Sequence, residues 1–157
     1  MADIIYLTLK GKNQGLISNG CSSYDSIGNR YQKGHSDEIL VYMTEFTIAR
    51  RQNLTHVDFV FIKADDKSSP LLLSSISNNE LLECEFKYYR IDQGGGLQHY
   101  KTIKLTNASI TNMKNTHPDA ISDSEASPRE LITLKYESIT STHHAASTSG
   151  YSICNNI

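Results

Sequence analysis

Between two runs that alternate like β-strands, the stretch Lys63–Ser77 carries the chain's one convincing helix start. Ser69 is placed to act as N-cap and Pro70 as the first helical residue, where the missing N–H costs nothing and φ is already set. At about 100° per residue, Leu72, Leu73 and Ile76 share one apolar stripe, while Leu71 points away among Ser74 and Ser75. The helix ends near Asn78 and Asn79, both acceptable C-terminal residues, after roughly two to three turns. A helix that short does not hold its shape alone, so it must lean on the flanking strands. One short helix beside an otherwise β protein is the expectation.

The strands are legible to different degrees. Residues 3–10 set Ile5, Leu7 and Leu9 against Ile4, Tyr6 and Thr8, both faces fairly apolar, as in a central strand. From Gly11 to Gly34 five glycines break the chain into loops and short extended pieces, around Leu16-Ile17 and Cys21–Tyr24. Residues 37–50 put Ile39, Val41 and Met43 on one face, and residues 54–63 put Val57, Phe59 and Phe61 on one face, with the turn at Arg50–Asn53. Residues 81–91 alternate most cleanly: Leu82, Cys84, Phe86 and Tyr88 inward, Glu83, Glu85 and Lys87 outward. Gly94–Gly96 connects them to a hairpin partner over 98–113. There the apolar phase slips between Leu105 and Ala108, which predicts a β-bulge near Thr106-Asn107. Residues 114–129 read as a polar surface loop, 130–140 as a strand with Ile132, Leu134 and Tyr136 inward, and the tail from Ser141 as poorly ordered. Seven or eight short strands with one helix make a β-sandwich or barrel, in a single domain spanning 1–157 with 143–157 as a flexible tail.

Charge narrows the function. Fifteen Lys and Arg against 17 Asp and Glu give a formal net charge of −2, with no basic stripe to neutralise phosphates, so nucleic acid is not an expected partner. No apolar run approaches the ~18 residues of a membrane span. The N-terminal residues lack a basic region before an apolar core, so no cleavable signal peptide is expected. Cys21, Cys84 and Cys154 are odd in number and lack metal-ligand spacing, which reads as free thiols in a reduced compartment.

Little in the chain invites catalysis. Asp65 and Asp66 are adjacent carboxylates, but in a strand-to-helix turn such residues cap the helix or neutralise Lys67. His143 and His144 are neighbours on an extended chain and point to opposite faces, with no acid cluster to complete a metal site. Gly94–Gly96 opens no helix and is no phosphate loop. No catalytic residue, cofactor or metal ligand is assigned, and the residues alone describe a mainly β domain.

The stretch Lys63-Ala64-Asp65-Asp66-Lys67-Ser68-Ser69-Pro70-Leu71-Leu72 resembles the signature of the Hcp (haemolysin-coregulated protein) family, the tube subunit of the bacterial type VI secretion system. Gly20-Cys21-Ser22 and the glycine-rich stretch after it, Glu85–Arg90, Tyr100–Ile110 and Leu134–Thr140 follow in the family's order and cover nearly the whole chain. The resemblance implies a fold similar to phage tail-tube proteins: a compact β-barrel of two sheets with a helix alongside, closing into a homohexameric ring. Rings would stack into a tube inside a contractile sheath, capped by a spike protein of the VgrG type, and hold effector proteins in the lumen. The protein would be cytoplasmic before firing and secreted afterwards without an N-terminal signal.

A ring needs a head-to-tail contact that closes. Lys63, Asp66, Lys67, Ser69, Pro70 and Leu71 carry the signature and are candidates for ring assembly, Leu71 as a leucine left exposed for a neighbour. The hairpin around 42–56 resembles the arm used between rings, with Glu45, Arg50, Arg51 and Asn53 as candidate stacking residues. Two departures stand out: Ser141 occupies a position where many members carry Trp, and the arm before His56 is shorter. A soluble β-sandwich module binding sugar or protein is the competing reading, and a small hydrolase using His and Asp the third.

Overall fold

The computed structural model describes residues 3–122 and 127–154. In chain order its strands are β1 (Ile4–Gly11), β2 (Gly15–Leu16), β3 (Ile39–Glu45), β4 (Ile48–Arg50), β5 (Leu54–His56), β6 (Phe59–Ala64), β7 (Leu82–Ile91), β8 (Leu97–Thr116), β9 (Arg129–Lys135), β10 (Ser138–His143) and β11 (Thr148–Ile153). A single helical turn, α1 (Tyr24–Ile27), follows β2, and the helix α2 (Ser68–Asn78) joins β6 to β7. The main sheet runs β11-β10-β8-β7-β1-β3-β6-β9, and β9 returns to pair with the second half of β8. Six strands therefore form a closed hydrogen-bonded circuit, with β10 and β11 extending it on one side. A separate pair, β4–β5, makes the second sheet.

Closure depends on β8. At 20 residues it is long enough to pair with β7 and β10 along its first part and with β9 along its second. The change of partner falls where the phase of apolar residues slips in the sequence. Between Leu82↔Ala108 and Cys84↔Leu105, β8 spends one residue more than β7, and Asn107 takes up the extra step at φ 50°. This is the expected bulge. The strand bends there, and its inward set passes from Ile103 and Leu105 to Ala108 and Ile110, all buried.

The core follows the alternation read along the chain. Leu7 and Leu9 of β1, Leu82, Cys84 and Phe86 of β7, and Ile132 and Leu134 of β9 are all inside. Phe86 is their meeting point, its ring centroid 4.8 Å from Phe59 and 5.2 Å from Phe61. β1 lies between β7 and β3, and on its second face Tyr6 alone is buried, 1% exposed, under the His35 ring that stacks on it with centroids 4.1 Å apart.

Several expectations change. The strand over 37–50 stops at Glu45, because the chain leaves the closed circuit there and returns only at Phe59; residues 46–58 pair with themselves as β4–β5. A register shift between Val41 and Met43 turns Met43 outward, and Val57 is exposed beside the excursion. Cys21–Tyr24 is not extended but leads into α1. β8 continues to Thr116, three residues into the expected loop. Residues 123–126 of that loop lie outside the described residues. The strand over 130–140 divides at Tyr136-Glu137, since β9 belongs to β6 and the far half of β8 while β10 belongs to its near half; the Glu137 N–H donates to the Thr106 carbonyl across the junction. The tail from Ser141 is a hairpin, with β10 and β11 paired from Ser138↔Ile153 to His143↔Thr148.

The helix is rotated from its expected setting. It starts at Ser68, and its cap is Asp66, whose Oδ1 accepts the Ser68 N–H at 2.9 Å; Ser69 lies inside the helix. Ser68 and Ser75 are buried with Leu72, Leu71 packs against the core, and Leu73 is 60% exposed. The exposed leucine of α2 is thus Leu73, not Leu71. The reason is polar: Ser68 and Ser75 are drawn inward by hydrogen bonds to Asp66 and Glu80. Asn79 ends the helix in the left-handed conformation, φ 49°, as its position suggested.

Candidate functional site

The signature stretch builds a buried charge cluster. Lys63 sits on β6 with its side chain wholly inside, and a charge there must be matched by partners. Its Nζ donates to the Ala64 carbonyl at 2.8 Å, Asp66 Oδ1 at 3.1 Å, Ser69 Oγ at 3.2 Å and Glu130 Oε1 at 3.4 Å. Glu130 comes from β9, opposite Lys63 in the register. Asp66 therefore does two things: it neutralises Lys63, not Lys67 as its neighbourhood suggested, and it caps α2. Asp66 Oδ2 and Glu130 Oε2 are buried without a hydrogen-bond partner among the described residues. Lys67 remains at the surface, its backbone N–H donating to Ser26 Oγ at 2.9 Å. Pro70 is exposed on the first turn of the helix.

Cys21 lies beside this cluster. Burial first, and the Asp66 carboxylate next, push its thiol up to about 12, so it stays protonated and is a poor nucleophile. Burial raises Cys84 further. Among the described residues, no three His, Cys, Asp or Glu side chains converge as a metal would require, and no helix is long and apolar enough to cross a membrane.

At the other end of α2, Glu80 clamps the β1–β2 turn. Its carboxylate accepts the N–H groups of Asn13 and Gln14 at 2.8 and 2.9 Å and the Gln14 side-chain amide at 2.7 Å. Burial alone would raise its pKa, but the Gln14 side chain, the two backbone donors and Ser75 outweigh that and hold the carboxyl below its ordinary range. A Cβ on Gly11 would collide with this carboxylate, which accounts for glycine at the end of β1. Sequence reasoning missed Glu80. A lone acid between a helix and a strand carries no local signal of where its partners lie.

The histidines find scattered neighbours: His35 Nδ1 meets Glu38 Oε1 at 2.9 Å. His143 accepts the Ala146 N–H in the β10–β11 turn, whereas His144 and His99 both meet Thr102 Oγ1 at 2.8 Å. Burial, then His144 and Lys87, lower the pKa of His99. His56 on β5 reaches Ser152 of β11 at 2.8 Å.

The candidate arm is the excursion from Glu45 to His56. Glu45 ends β3, Arg50 ends β4, and Arg51 and Asn53 form the turn; all four are exposed. Among the described residues none of them enters an ion pair within the chain. Beneath the arm, Phe46, Ile48, Ile139, Ser141 and Tyr151 line an apolar groove of about 290 Å³. Ser141, in the position where the resemblance leads one to expect Trp, is part of its wall.

A buried charge cluster that fixes a helix and a closed strand circuit define a mainly β fold. Residues 6–143 match the family described as "Type VI secretion system effector, Hcp". The chain belongs to the Hcp family of the type VI secretion system. The "Major exported protein" of Pseudomonas aeruginosa is 34% identical over 162 residues, which are 96% of this chain and 94% of that protein. "Uncharacterized protein YhhZ" of Escherichia coli K12 is 37% identical over 155 residues, 94% of this chain; the chain spans only 37% of that relative's length. A crystal structure of an Hcp protein superposes with a TM-score of 0.93 at 32% identity, covering 99% of this chain and 100% of the other. The secreted protein Hcp3 from Pseudomonas aeruginosa does so with 0.90, at the same identity and coverage.

Proposed function

We propose that the protein is a tube subunit of the type VI secretion system, acting by assembly and not by catalysis. Six copies close into a ring, rings stack into a tube, and the tube is expelled by a contractile sheath behind a VgrG-type spike. Effector proteins ride in its lumen. The subunit waits in the cytoplasm and leaves with the tube.

The observation that carries this reading is the match of fold and sequence together over nearly the full chain, at 0.93 and 32% with an Hcp protein. The exposed face of α2 supports a ring contact, with Leu73 in the place first given to Leu71. Lys63, Asp66 and Ser69 support it indirectly, by fixing the helix that presents that face; Lys67 and Pro70 lie at its exposed start. Arg50 and Arg51, without an ion pair among the described residues, suit contact with acids on a neighbouring ring, with Glu45 and Asn53 beside them.

Native mass measurement and electron microscopy of the purified protein test the reading. A particle of about six chains of 17.6 kDa, seen as an annulus, is expected. A monomer would favour a binding module instead, and the cavity lined by His56, Asp58, Tyr136, Glu137 and Cys154, where the buried Tyr136 hydroxyl has no partner among the described residues, would be its site.

A further inference from the structure

We infer that the ring contact is made by the outer face of α2 on one copy and the groove beside β11 on the next. The inference rests on the ring proposed above and names its two faces. Both elements lack charge: α2 has none in its 11 residues and β11 none in its six, in a chain that is 20% charged. Interface cores are depleted in charge in this way, whereas solvent-facing helices normally are not.

Each element also leaves apolar surface uncovered. On α2, Leu73 is 60% exposed, flanked on the outer side by Pro70, Ser74 and Ser77. On β11, Tyr151 is 76% exposed and Ile153 50%. Among the described residues β11 is the edge of the main sheet and pairs with β10 alone. Exposed edges are usually blunted by Lys, Pro or a bulge; β11 has none of these, and its pairing with β10 is regular throughout. Beside it the groove is walled by Phe46 and Ile48 from the arm and Ile139 from β10.

The two surfaces do not meet in one chain, because α2 packs against β8. A ridge on one element and a groove on another, both uncharged, make a heterologous pair, the kind that closes into a ring. Small serines around Leu73 let the helix approach closely, so that Leu73 enters the groove and Tyr151 lies along the helix.

Leu73→Asp and Tyr151→Asp, each at an exposed position, are expected to leave thermal unfolding within a few degrees of the unmodified protein and to shift native mass from about six chains to one. In the double variant Leu73→Lys, Tyr151→Asp, opposite charges face each other across every contact, and more ring is expected than in Leu73→Lys or Tyr151→Asp alone. Rings that survive both aspartates, or a double variant no better than the singles, overturn the assignment of faces while the ring itself stands. Absence of rings in the unmodified protein overturns both.

Discussion

Lys63 is the residue whose removal says most about how the helix is held. Its ammonium faces two buried carboxylates, so a neutral replacement strands negative charge in the core. Lys63→Met should cost about 3–5 kcal/mol, lowering the melting temperature on the order of 10 °C. Glu130→Gln should cost less, because Asp66 still answers the ammonium; calorimetry on the pair distinguishes the two. Glu80 makes a pH-dependent claim. Its carboxyl is held below the ordinary 4.5 in the folded chain. The stabilisation it confers is therefore complete above that value and is lost as pH falls through the lower folded one. Glu80→Gln should be less stable than the unmodified protein at pH 7, with the gap narrowing below about pH 4; a gap that widens in acid would contradict the hydrogen-bonded carboxylate.

Among the elements, the strands that bury one whole face announce themselves, and those that bury little or nothing do not. β7 could be read residue by residue because every second side chain is buried. β8 gave up even its bulge, since Leu105 and Ala108 cannot face inward on an unbroken strand. The β10–β11 hairpin was illegible: of β10 only Ile139 is buried, and β11 is exposed at nearly every position. Backbone pairing, which leaves no trace in side-chain pattern, orders it. The setting of α2 failed for a related reason. Leucines were assumed to define its inner face, but serines bonded to Asp66 and Glu80 turned it toward Leu71. The signature stretch stood out in the sequence, but its buried cluster with Glu130, the Glu80 clamp and the groove needed the fold to bring them together. The bulge itself is testable: Asn107→Val forces a β-branched residue into a left-handed conformation and should cost about 1–2 kcal/mol, while Asn107→Gly should cost less. Equal losses, measured by denaturant titration, would argue that conformation is not what asparagine supplies there.

At the scale of the whole molecule, stacking and ring closure are separable. The arm carries the only pair of adjacent arginines, Arg50 and Arg51, at an exposed turn. Reversing both to glutamate should shorten or abolish stacks in electron micrographs and leave single rings intact; loss of the ring would move the arm into the ring contact. No reactive side chain enters this account. The closed circuit of strands frames the chain, the buried charges fix its helix, and the uncharged faces of α2 and β11 are the ones proposed for contact with other copies. The native mass of the unmodified protein at micromolar concentration tests that directly. The account predicts a species of about six chains, six times 17.6 kDa, and a chain that stays monomeric under those conditions would contradict it.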